Sequence, residues 1–113
     1  MALLVTGGAG YIGSHVTRLL VERGERVIVL DNLCLGHRGA IVPGVELVEA
    51  DLSDAPTVER LIKDGDIEAV LHFAAFSLVG ESVVEPLKYY RNNAAAPLVL
   101  LDAMRRNGVK KFI

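Results

Sequence analysis

The chain is 113 residues long, 51% of them apolar, with a formal net charge of −2. That much apolar material in one domain's length argues for a compact core and against disorder, and the lack of any run of Lys and Arg excludes a nucleic-acid footprint. The longest uncharged apolar stretch, residues 94–101, is far too short for a membrane span, and the N-terminus lacks the basic flank and cleavage site of a signal peptide, so a soluble cytoplasmic protein is expected.

In chain order, residues 2–6 are a short apolar run ended by glycines, the pattern of a strand buried on both faces of a parallel sheet. Ile12, Val16, Leu19 and Leu20 then fall on one helical stripe, and Gly24 stands where that helix should end. Residues 26–30 read as a second buried strand. Residues 32–44 hold three glycines and a proline with little periodicity, a surface loop with room for a helical turn. The lone cysteine, Cys34, excludes an internal disulfide and a multi-cysteine metal site, and reads as a small packing residue. Residues 45–49 form a third strand. Residues 53–64 form a helix with Val58, Leu61 and Ile62 on one face and Asp54 placed to cap it, and residues 69–73 form a fourth strand. His72 on that strand reads as a core histidine with a partner, and no metal-ligand spacing joins it to His15 or His37. Past a glycine-containing loop, residues 85–107 predict one long helix ended by Gly108, and residues 111–113 begin a fifth strand. Pro97 inside that helix cannot donate to the Asn93 carbonyl and should bend it, at a cost of about 3 kcal/mol unless the bend is accommodated.

Strict alternation of strand and helix specifies right-handed crossovers and a parallel sheet covered on both faces. The fold class is therefore α/β, a Rossmann-type doubly wound sheet, cut off after the fourth strand and the helix that follows it. The first strand should lie between the second and the fourth, with the ligand cleft at that switch point.

Between the first strand and first helix runs Thr6-Gly7-Gly8-Ala9-Gly10-Tyr11-Ile12-Gly13. Gly8, Gly10 and Gly13 satisfy a GxGxxG dinucleotide fingerprint, and Gly7, Gly10 and Gly13 a GxxGxxG spacing. The chemistry needs early glycines for a tight turn, Gly10 for close approach of backbone to a pyrophosphate, and Gly13 for close packing of helix on sheet. The helix start then offers unpaired N–H groups to the phosphates, with Tyr11 and Ile12 supplying amides and wall. Asp31 closes the second strand, 18 positions after Gly13, where an acid can accept from both ribose hydroxyls and repel a 2′-phosphate; NAD is favoured over NADP. Asp51 and Leu52, after the third strand, suit an adenine amino group and ring, or a cap for the next helix.

The run from Val5 to His15, with Asp31-Asn32-Leu33-Cys34, resembles the extended short-chain dehydrogenase/reductases. The run from His72 to Ser82, with Pro86-Leu87-Lys88-Tyr89-Tyr90-Arg91-Asn92-Asn93, narrows the resemblance to the UDP-glucose 4-epimerases. It covers the whole chain as the N-terminal part of one NAD-binding domain, residues 1–113. It implies that Tyr11 and Ile12, the segment Asp31, Asn32, Leu33, Cys34, Leu35 and Gly36, then Asp51 and Leu52, the stretch Phe73, Ala74, Ala75, Phe76 and Ser77, and finally Asn92 line an NAD site. Two departures stand out: Ser77 occupies a position where some epimerases carry a lysine, and Ala96-Pro97 replaces a usual Gly-Thr. The resemblance also implies a homodimer built on the long helix and a UDP-sugar substrate, with no nucleic acid, membrane or metal involved. The catalytic Ser or Thr and the YxxxK tyrosine it implies are absent: Tyr11, Tyr89 and Tyr90 are followed four positions later by His15, Asn93 and Ala94.

The expectation is the NAD-binding part of an epimerase, inactive and weakly stable by itself, with the catalytic groups expected beyond Ile113. Two readings stay open beside it, a nucleotide-sugar dehydratase or decarboxylase sharing the same first half, and a non-catalytic dinucleotide-binding module.

Overall fold

The computed structural model describes residues Met1–Ile113. Five strands, β1 (Ala2–Thr6), β2 (Val27–Asp31), β3 (Glu46–Glu49), β4 (Ile67–His72) and β5 (Lys111–Phe112), form one sheet in the order β3-β2-β1-β4-β5, every pair parallel. β1 thus pairs with both β2 and β4, as alternation and handedness require.

Alternation along each strand explains burial on both faces. β2 sends Ile28 and Leu30 into one core and Val27 and Val29 into the other. In the larger core, α2 (Ala55–Asp64) and α5 (Ala96–Arg106) contribute Val58, Ile62, Leu100 and Met104 beside Leu4, Leu30 and Val70. On the opposite face α1 (Tyr11–Glu22) sets Leu20 and Val21 against Val5 and Val29.

The stripe expected on α1 is displaced. Ile12 and Leu19 are exposed, and the buried positions are Gly13 and Thr17. The helix lies close to the sheet because Gly13 has no side chain and the Thr17 hydroxyl folds back to donate to the Gly13 carbonyl at 2.8 Å. Close approach selects small residues, which hydrophobic periodicity does not register.

α2 begins at Ala55, and Asp54 caps it: the Thr57 amide donates to Asp54 Oδ1 and the Thr57 hydroxyl to Oδ2. The long helix expected over residues 85–107 runs without interruption over residues 86–106, as α4 (Pro86–Tyr90), a π-helical turn (Arg91–Ala95) and α5, and it is preceded by a short exposed helix, α3 (Val79–Val84). Pro97 stands in the first turn of α5, where a missing donor costs little, and the turn before it is widened so that the Ala96 amide reaches the Arg91 carbonyl. The bend is accommodated there. The fourth strand is paired on its outer side by the fifth strand expected at residues 111–113: Ala69 and Val70 face Lys111 and Phe112, and the His72 amide donates to the Ile113 carbonyl at 2.8 Å.

His72 is half-buried, with Nδ1 2.6 Å from the Thr6 hydroxyl and its ring stacked on Phe112. Burial lowers its pKa below the usual 6.5. The unfolded chain therefore takes up a proton near pH 6.5 that the folded chain accepts only at lower pH, and stability present above that value is lost as pH falls. Urea midpoints measured between about pH 7.5 and about pH 5.5 should fall, and His72→Gln should flatten that dependence; an unchanged slope would remove His72 as its cause.

Candidate functional site

A cleft of about 90 Å³ opens at the carboxyl ends of β1, β2, β3 and β4. Its floor is the turn after β1. Gly7 adopts φ +71°, and a Cβ there would sit 2.6 Å from the Ala74 amide nitrogen. A Cβ on Gly13 would overlap the Gly7 carbonyl group, and one on Gly8 would meet the Val29 methyls at 2.7 Å. These three glycines are required by the protein's own packing.

Gly10 is different. It has φ −80° and ψ 179°, open to any residue, and an added Cβ would meet only the Gly7 oxygen, at 3.4 Å. Nothing in the fold demands a glycine there, and the residue lines the cleft. It is the N-cap of α1, with no side chain capping the helix and no acidic residue in its first turn, so the first amides face outward with the positive end of the helix dipole. No Lys, Arg or His lines the cleft. An anion held here would be held by backbone amides.

Asp31 is buried at the end of β2 and lines the same cleft. Its Oδ2 accepts from the Ala9 amide at 3.0 Å and its Oδ1 from the Leu33 amide at 2.8 Å. The carboxylate thus staples the glycine loop to β2, a role the sequence does not announce, and each oxygen keeps a lone pair for a second donor. The following residues repeat the device, with the Cys34 amide donating to Asn32 Oδ1 at 2.9 Å. Leu33 between them is held at φ 59°, a left-handed conformation unusual for leucine. Gly36 then packs on Ala9, and the His37 amide donates to the Ala9 carbonyl, closing this loop over the glycine turn.

Asp51 braces the loop from the other side. It accepts from the Ser53 amide and hydroxyl and from the Asn32 side chain at 3.0 Å, and those bonds, the Ser53 amide first, hold its carboxyl below the usual range. The helix-cap alternative for Asp51 is overturned, since that place belongs to Asp54. Leu52 is buried in the larger core with one edge on the cleft.

Of the residues singled out in the sequence, the structure brings Gly7, Gly10, Asp31, Asn32, Cys34, Leu35, Gly36, Asp51, Leu52, Phe73, Ala74, Ala75 and Asn92 to the cleft wall. Tyr11 and Ile12 project into solvent at the start of α1, Gly13 is buried beneath the turn, and Leu33 and Ser77 stand outside the wall. Cys34 is exposed on the cleft and is no packing residue. Leu30 and Ala50 line it without having been singled out, and Phe76, from the stretch Phe73 to Ser77, lines it as well. The first two sit at the ends of β2 and β3, and a rule that took every strand-end position would have found them.

Residues 3–113 match the family described as "NAD dependent epimerase/dehydratase family". The chain belongs to that family. Among its relatives, the UDP-glucose 4-epimerase of Lactobacillus helveticus is 50% identical over 113 residues, covering 100% of this chain and 34% of the relative. One from Klebsiella pneumoniae is 46% identical over 121 residues, covering 100% of this chain and 86% of the relative. A crystal structure of the Thermus thermophilus UDP-glucose 4-epimerase in complex with NAD superposes with a TM-score of 0.95 at 43% identity, over 99% of this chain and 36% of that one. The chain thus spans about a third of the length of the L. helveticus and T. thermophilus enzymes.

Proposed function

We propose that this chain is the NAD-binding part of a UDP-glucose 4-epimerase. One observation carries the reading: Gly10 is a glycine with no steric or conformational reason of its own, at an uncapped helix start facing a cleft whose opposite wall ends in Asp31. The amides of the α1 start would hold the pyrophosphate, and Asp31 would accept from the adenosine ribose hydroxyls with the lone pairs that Ala9 and Leu33 leave free. Ala50, Leu52 and Ala74 offer an apolar bed for the adenine ring, with Asp51 beside it as an acceptor. When bound, NAD supplies a reversible hydride acceptor. The part played by these residues is to hold and orient it, since no tyrosine of the chain belongs to a YxxxK motif.

Calorimetric titration of the 113-residue chain with NAD should give saturable one-to-one binding with NADP much weaker, and absence of binding would sink the assignment. We infer further that the parent enzyme is a cytoplasmic homodimer acting on UDP-sugars. What supports the dimer is the apolar surface that Val83, Val84, Leu87, Leu98 and Leu101 leave exposed on α3, α4 and α5. Product analysis with UDP-galactose separates epimerisation from dehydration or decarboxylation.

A further inference from the structure

After β4 the chain runs through residues 73–78 without regular secondary structure, yet Phe73, Ala74, Ala75 and Phe76 form one wall of the cleft. A wall of irregular backbone is only as fixed as the side chains that hold it. Asn93 on the π-helical turn holds this one at both of its polar atoms: Oδ1 accepts from the Phe76 amide at 2.8 Å, and Nδ2 donates to the Phe76 carbonyl at 2.8 Å. That is the pairing a neighbouring strand would give, supplied by one carboxamide. Asn92, the preceding residue, lines the cleft and donates to the same Asn93 Oδ1 at 2.9 Å, so wall and loop share an acceptor.

We propose that Asn93 is a positioning residue for the cofactor, which it does not itself touch, acting through Phe76 and Asn92. The inference rests on the NAD reading above. Its physical content is preorganisation: a wall already ordered before the ligand arrives does not have to be ordered by it. The π turn contributes by bringing two consecutive asparagines to bear on one loop, and such turns recur at functional sites.

The test combines NAD titration with hydrogen exchange at the Phe76 amide, in the wild-type chain, in Asn93→Ala and in Asn93→Asp. Alanine removes both bonds. Aspartate keeps the acceptor for the Phe76 amide and loses the donor to its carbonyl, at nearly the same shape, so it carries the test should the alanine variant not fold. Asn93→Ala should speed exchange at Phe76 and weaken NAD binding about tenfold, the scale of ordering a few loop groups on association. Asn93→Asp should preserve more of the exchange protection and lose less affinity. A purely structural residue would lower the unfolding midpoint and leave the affinity of the folded chain intact. Faster exchange at Phe76 with unchanged affinity therefore overturns the proposal, as does unchanged exchange. A wild-type chain that does not bind NAD overturns the cofactor assignment and this proposal with it, and the wild-type titration alone reveals that case.

Discussion

Gly10→Ala should leave the stability of the chain within about 1 kcal/mol of wild type while weakening NAD binding by about 3 kcal/mol, roughly a hundredfold. The asymmetry follows from where the new methyl goes. At φ −80° the backbone accepts alanine, the nearest protein atom lies 3.4 Å away, and the remaining space is the cleft. Two small effects on the fold oppose each other, the stiffer unfolded chain that alanine brings and its weaker preference for an N-cap. Gly13→Ala is the contrast. Its methyl would overlap the Gly7 carbonyl and press on the Gly8 Cα at 3.0 Å, so the turn must open, at a cost of about 2–3 kcal/mol in stability as well as the loss of binding. Urea denaturation and calorimetric titration of the two variants, side by side, check both halves. Should Gly10→Ala bind NAD like wild type, the space beside Gly10 holds no phosphate.

The same contrast marks how far the sequence could be read. Strand order was legible because alternation of short apolar runs with helical segments leaves few topologies once crossovers are right-handed, and β1 does lie between β2 and β4. The glycine turn was legible because Gly7, Gly8 and Gly13 sit where backbone or Val29 leaves no room for a side chain, and Asp31 because it closes the strand beside that turn. What escaped was set by contacts between distant residues. The buried face of α1 was misread because Gly13 and Thr17 pack by being small, while Ile12 and Leu19 face solvent. The long helix was legible in its extent, residues 86–106, but not the π turn within it, whose only local sign is the proline that follows. Asn93 looked like its neighbour Asn92, and only coordinates separate a residue on the cleft from one that grips Phe76. Asp31 was assigned one task where it has a second, because bonds to the Ala9 and Leu33 amides leave no trace in spacing.

That second task shapes what Asp31→Asn should do. Both carboxylate oxygens face backbone N–H groups, so an amide in their place must turn its NH2 toward one of two donors. One charge-assisted bond is lost and one buried donor is left without a partner, which together should destabilise the chain by about 2–3 kcal/mol. NAD binding should fall as well, but a looser turn alone would produce that result. The decisive quantity is the ratio of NADP to NAD affinity, which a loosened glycine turn leaves unchanged because it lowers both affinities alike. A carboxylate about 4 Å from a 2′-phosphate repels it by roughly 4 kcal/mol at an effective dielectric of about 20, a penalty specific to NADP. Removing the charge should therefore raise the NADP to NAD ratio by at least about tenfold even as both affinities drop, with the stability loss read separately by urea denaturation. A variant that loses both ligands in equal proportion would make Asp31 a staple for the turn and nothing more, and the ribose would have to be held elsewhere.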